Sequence, residues 1–297
     1  MLALVALVGV GALWGLGAPL VRIARLDGIS ALTIVFTQSL IGVAVMAGIL
    51  TLRGRIRLPL DRASLGLYLV VGLLGIVAPH LAGYWALGYI PAGIHAMLTS
   101  LVPMFALALA LGLRIEQFEL ARGMGLGLGA GAVALLVLPE STLPEAVPVA
   151  FVLVSALAPL CYALESAFVA HISRAQAGAM QALLGGSVVA ALVIAPVTLA
   201  AGAPLLPTGS KVAIWAILAA GLGGTLAYAG YVTLLRRAGS VFATQVAYLV
   251  TGWAMLWSIL FLGERHAPLV WFALMVLFAG LFLVQPRPRL PLSPSSD

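Results

Sequence analysis

A small set of side chains stands out because each can hold a hydrogen bond, a charge or a ring contact inside an otherwise apolar run: Trp14, Gln38, His80, Tyr84, Tyr162, Glu165, Gln181, Tyr231, Gln245 and Tyr248. Amides donate and accept at once, so Gln38, Gln181 and Gln245 suit a zwitterion that presents an ammonium and a carboxylate; the bland alternative is hydrogen bonding between helices. Trp14, Tyr84, Tyr162, Tyr231 and Tyr248 offer rings against which an apolar or aromatic group can stack, although such residues also form interfacial belts or plain packing. Glu165 is the one carboxylate well within an apolar run. It either binds a proton or an amine, or reaches the interface or an arginine. His80 follows Pro79 and can carry a proton. His95 either sits beside His80 or faces water.

This is the chemistry of binding rather than of bond making. Neither His-Glu-x-x-His nor Gly-x-Ser-x-Gly occurs, and the single Cys161 excludes an intrachain disulfide and a zinc site of the usual kind. No enzyme activity, metal or cofactor is expected. Gly127 to Ala132 reads as Gly-x-Gly-x-x-Ala, but it lies in a charge-free run rather than a strand-turn-helix unit. The glycines from Gly123 to Gly131 are better read as small residues that let helices approach closely.

The elements that must position these groups follow from composition. Hydrophobic residues make up 63% of the chain and charged residues 8%, with a mean hydropathy of +1.17. A soluble domain carries roughly 25% charged residues, so a soluble enzyme or a nucleic-acid-binding domain is excluded despite a net charge of +6. Uncharged runs predict ten membrane helices, at residues 2–21, 31–52, 65–87, 92–113, 120–138, 148–170, 179–201, 212–234, 241–262 and 268–285. The fold class is all-α and polytopic. With the N-terminus inside, Arg53, Arg55, Arg57, Arg62, Arg114, Arg122, Arg174, Arg236, Arg237, Arg287 and Arg289 are cytoplasmic, against Arg22, Arg25, Lys211 and Arg265 outside. That bias predicts cytoplasmic termini, with the loop bearing Glu140 and Glu145 outside. Residues 286–297 form a Pro/Ser-rich tail expected to be disordered. Pro19, Pro79, Pro103, Pro159 and Pro196 are the expected kinks at which helices bend as gates.

The chain also matches itself at half its length. Thr37 to Gly42 resembles Met180 to Gly185, Ala82-Gly83-Tyr84 resembles Ala229-Gly230-Tyr231, and Trp14-Gly15 can be laid on Tyr162-Ala163. Five helices per half would give the second half the opposite membrane orientation, which places a substrate site near the midplane. The division expected is 1–140 and 146–285.

On those two halves, on Trp14-Gly15-Leu16-Gly17-Ala18-Pro19 and on Leu262-Gly263-Glu264-Arg265, the sequence resembles the ten-helix EamA-type members of the drug/metabolite transporter superfamily. It departs from them at Ile115-Glu116-Gln117, where the first half lacks an equivalent of Gly263-Glu264-Arg265. Within the superfamily it looks most like bacterial exporters of aromatic amino acids. The resemblance implies an inner-membrane carrier for small molecules, working by alternating access with the lipid bilayer as its surroundings and no nucleic-acid partner; oligomeric state is left open, a monomer being sufficient. The residues add a restriction of their own. A carrier of phosphorylated substrates needs Lys or Arg facing its cavity, and the only basic residue near a span core is Arg22, at the outer end of the first helix. Neutral or zwitterionic substrates fit better.

Overall fold

A computed structural model describes residues 2–137, 149–172 and 175–285. The disordered-tail expectation, Glu140, Glu145, Arg174, Arg287 and Arg289 lie outside the described residues. Every regular element described is helical. Ten apolar helices match the predicted spans to within a few residues: α1 Leu2–Leu26, α2 Ala31–Leu52, α3 Arg62–Ala86, α4 Ala92–Gly112, α5 Leu120–Val137, α6 Val149–His171, α7 Ala179–Ala200, α8 Lys211–Ala238, α9 Phe242–Leu262 and α10 Pro268–Val284. The first nine are long enough for a bilayer core of about 30 Å, and α10 is slightly shorter.

Their ends are written in the sequence. Ser30, Asp61 and Ser210 cap α2, α3 and α8 by accepting from the amides of Leu32, Ser64 and Ala213. Gly263 ends α9 with a φ of 63°, a left-handed conformation that costs glycine little. Pro268 starts α10, where its missing N–H is not needed.

Helix faces in lipid gain little from apolar burial, so close approach must come from shape. Gly11 and Gly15, four apart on α1, meet α9 so tightly that a β-carbon on them would stand 2.6 Å from Leu249 Cβ and 2.9 Å from the Val250 carbonyl. Gly72 of α3 and Gly186 of α7 abut in the same way, as do Gly125 of α5 and Gly280 of α10. The expected packing role of the glycine-rich stretch therefore holds for Gly125, whereas Gly127 and Gly131 have open space before them.

The packing scheme has an order. Helix α3 lies on α6 and α8 on α1; α4 lies on α6 and α9 on α1; α3 meets α7 and α8 meets α2. The pairs α2 with α7, α4 with α9 and α5 with α10 each map onto themselves when every helix is exchanged for the one five places away, and the pairs named before them map onto one another. Contacts of α1 with α3 and α4, and of α4 with α5 and α10, have no counterpart of similar extent under that exchange among the described residues.

Four helices are interrupted. Helix α1 breaks at Leu16 between segments Leu2–Gly15 and Gly17–Leu26, α3 contains a π-helical stretch at Val71–Val77, α4 breaks at Ser100 and Leu101, and α9 breaks at Gln245. Pro19, Pro79 and Pro103 each follow such an interruption within three residues, as a residue without an N–H would dictate. Pro159 and Pro196 do not: α6 and α7 run through them as continuous helices.

Candidate functional site

Helices α1, α2, α3, α6 and α8 bring together most of the residues singled out above. The Trp14 ring of α1 meets Tyr231 at 5.7 Å and stands edge-on to Tyr228 at 6.5 Å, both on one face of α8. A cavity of about 690 Å³ lies between α1 and α8, lined by Leu2, Gly9, Leu13, Gly230, Arg53 and Arg237 among others, and those three rings are not part of its lining.

On the facing side, the Tyr84 hydroxyl donates to Gln38 Oε1 at 2.7 Å, and the His80 ring stacks on Tyr84 at 4.8 Å, one helical turn away. Spacing of four on α3 produces that stack. Two polar atoms of this group, Gln38 Nε2 and His80 Nδ1, are buried without a hydrogen-bond partner among the described residues. Buried donors and acceptors are rarely left so in a finished protein interior.

Glu165 comes from α6 and lies flat over Gly75, within the π-helical stretch of α3. A β-carbon on Gly75 would be 2.6 Å from Glu165 Oε1 and 2.9 Å from Oε2. Tyr162, one turn earlier, and Tyr228 of α8 are within electrostatic reach of the carboxylate, and Tyr84 within reach of Tyr162. The expected arginine partner is not found: Glu165 has no ion pair and no hydrogen bond among the described residues. Sequence reading missed Gly75, since a glycine in an apolar run says nothing about what will face it. Single π-turns do recur at functional sites, but no periodicity announces one.

Other expected members sit elsewhere. Gln181 occupies the first turn of α7, where its Oε1 accepts from the Gly178 amide at 2.9 Å and its Nε2 donates to the Arg57 carbonyl at 2.7 Å. It is a capping residue at a helix end, not the counterpart of Gln38. Gln245 and Tyr248 gather around Gln285 at the end of α10, with donor to acceptor distances of 3.4 and 3.1 Å, and Tyr248 packs edge-on to Phe278. His95 does not face water. Its Nδ1 shares a 2.7 Å hydrogen bond with Ser155 of α6, and its ring fills the space over Gly83 of α3.

At the opposite end from Arg53 and Arg237 the bundle is tied shut. Glu264, after α9, accepts from the Ala92 and Gly93 amides at the start of α4 at 2.7 and 3.2 Å, and pairs with Arg22 of α1 at 3.1 Å. Arg22 also donates to the carbonyls of Leu87 and Ile90. His266 reaches the second Glu264 oxygen at 3.5 Å. A carboxylate at a helix N-terminus meets both free N–H groups and the positive end of the helix dipole. Its burial pushes the His266 ring below the ordinary histidine range, partly opposed by Glu264. Glu264 was visible in sequence only as part of a family motif, because Arg22 and Ala92 are far from it along the chain.

The profile of the EamA-like transporter family matches the chain twice, over residues 1–138 and 149–285. No curated protein matches it. One solved crystal structure superposes with a TM-score of 0.63 at 19% identity, covering 94% of this chain and 95% of that one, which speaks to the fold alone.

Proposed function

Because the chain belongs to the EamA-like transporter family, and is thus a multi-pass membrane transporter of the drug/metabolite type, we propose that it exports amino acids, aromatic ones first, together with related neutral metabolites. The observation that carries this reading is the group Trp14, Gln38, His80, Tyr84, Tyr162 and Tyr231, where rings gather around Gln38 Nε2 and His80 Nδ1, which have no hydrogen-bond partner among the described residues. Rings suit an aromatic side chain, and spare polar atoms suit the charged end of an amino acid.

The two halves, 1–140 and 146–285, act as inverted repeats. The exchange of helix neighbours by five supports this, and so does the pairing of Trp14 on α1 with Tyr231 on α8, which repeats as Tyr162 on α6 near Tyr84 on α3. Transport proceeds by alternating access, the halves rocking about the shared site in the inner membrane with both termini cytoplasmic. The Glu264 to Arg22 tie closes the outer end while the cavity between α1 and α8 lies toward the inner one. A substrate moves the equilibrium only through different affinities for the two states.

The test is flux of labelled phenylalanine down its gradient into liposomes containing the pure protein. Competition by tryptophan and loss of flux in Trp14→Ala and His80→Ala are expected; absence of flux overturns the amino-acid assignment. A second reading, a proton-coupled antiporter, is favoured by the unpaired Glu165, and dependence of flux on an imposed pH difference would support it. Binding without flux would instead identify a receptor.

A further inference from the structure

Glu165 lies in the span of α6 with no cation paired to it among the described residues. A carboxylate in such surroundings is costly unless something neutralises it. The basic residue nearest a span core, Arg22, is committed to Glu264 and to two backbone carbonyls at the far end. The carboxylate is nevertheless seated with care: Gly75 alone leaves room for it, and the π-helical turn brings Gly75 to face it. Tyr162 and Tyr228 are within electrostatic reach of it, and Trp14 stands edge-on to Tyr228. One carboxylate among rings cannot supply the six or more oxygens that a hard metal cation takes. It matches an organic ammonium, which gains both an ion pair and the electron-rich ring faces.

The far side of the same group is different in kind. Gln38 Nε2 and His80 Nδ1 offer neutral hydrogen bonding and no positive charge. A substrate carboxylate placed there can accept hydrogen bonds but meets no opposite full charge, whereas the ammonium meets one at Glu165.

On the reading that this group of side chains is a transporter's binding site, we infer that its substrates are recognised by a primary ammonium held against Glu165 on its Gly75 seat, and that a substrate carboxylate is dispensable. Organic amines with an aromatic body are therefore ligands equal to the corresponding amino acids. Aromatic acids without an amine are not.

The experiment is equilibrium binding to the full chain in lipid nanodiscs, read by tryptophan fluorescence, with three probes: phenethylamine, L-phenylalanine and 3-phenylpropionate. Phenethylamine and phenylalanine are expected to bind within about threefold of each other, and phenylpropionate at least about tenfold more weakly, as befits a lost ion pair. Glu165→Gln should weaken both amines at least about tenfold, and Gly75→Ala should do the same by displacing the carboxylate, with unfolding temperatures close to that of the parent. Glu165→Asp should recover part of the loss. Equal binding of phenylpropionate, unchanged amine binding by Glu165→Gln, or no amine binding at all would each overturn the inference. Transport stands apart from it: phenylalanine flux that survives in Glu165→Gln overturns the ammonium anchor alone, whereas amine binding without flux overturns the transporter reading and keeps the anchor.

Discussion

Glu264 and Glu165 are both acids within the bundle, and they have opposite company. Glu264, 9% exposed, holds two backbone amides, Arg22 and His266. Glu165 lies over a glycine, within electrostatic reach of Tyr162 and Tyr228, and has no ion pair or hydrogen bond among the described residues. An acid whose lone pairs are all answered by the protein is a tie between elements, here α1, α4 and α9. One whose lone pairs are unanswered costs stability in the empty protein and repays it on binding. The contrast assigns Glu264 to holding one end of the molecule and leaves Glu165 to the inferred ligand role.

The largest expected effect breaks the first of these. Glu264→Ala leaves Arg22 without its counter-ion and two α4 amides without acceptors, and should lower stability by about 3 kcal/mol. Thermal unfolding in detergent measures it. Glu165→Gln, in the same assay, should leave the midpoint unchanged or raise it, because it removes a charge that no ion pair among the described residues offsets. Equal destabilisation by the two substitutions would abolish the distinction.

A smaller effect sharpens the site side. Tyr84→Phe removes the hydroxyl that donates to Gln38 Oε1 and leaves that amide with both ends free, at a cost of about 1 kcal/mol. Saturating phenylalanine should restore part of the lost midpoint if the amide then turns to the ligand; an undiminished loss would show that Gln38 serves Tyr84 alone.

How much of this was written in the sequence differs between fold and site. Ten spans were legible because a 20-residue charge-free run has few other uses, and caps such as Ser30, Asp61 and Ser210 stand at the starts of their helices. Breaks were legible only in part. Pro19, Pro79 and Pro103 accompany them, yet Pro159 and Pro196 sit in continuous helices, since neighbours in a bundle can hold a helix that has lost one hydrogen bond. The break at Gln245 has no proline at all. The site was legible as residue types, with Trp14, Gln38, His80, Tyr84 and Tyr231 brought into it and Gln181 drawn off to a helix end. Helix rotation decides such membership, and a helix that is apolar all round does not reveal its rotation. His95 found Ser155 and Gly75 found Glu165 across long separations that no local pattern encodes.

The tie around Glu264 should also depend on pH. His266 lies in the turn after α9, and burial holds its ring below the ordinary histidine value, with Glu264 opposing. A lowered value in the folded protein means that the unfolded chain takes up the proton first. Stability is then full above about pH 6.5 and falls as the pH drops toward the folded value. Unfolding midpoints at pH 7.5 and 5.5 should differ more in the parent than in His266→Gln. An equal difference would place the acid sensitivity elsewhere.

The smallest effect concerns a third acid that is neither tied across the bundle nor left alone. Asp61 caps α3 from solvent, accepting from the Ser64 amide at 3.0 Å and the Ser64 hydroxyl at 2.5 Å, and those bonds hold its carboxyl below the usual range. Ser64 Oγ in turn accepts from the amides of Gln176 and Ala177, so the cap links the start of α3 to the turn before α7. A lowered carboxyl value gives a contribution that is present above the ordinary carboxylate range and lost as the pH falls through the folded value. Asp61→Ala should therefore speed amide exchange at Arg62 to Leu65 at pH 7 and make little difference at pH 3, once intrinsic exchange is corrected for. Its effect should stay at the helix end, because an exposed cap is screened by water and shares no partner with either buried acid. Faster exchange reaching as far as Gly75 would mean instead that the cap sets the π-helical turn, and would join Asp61 to Glu165 as one unit.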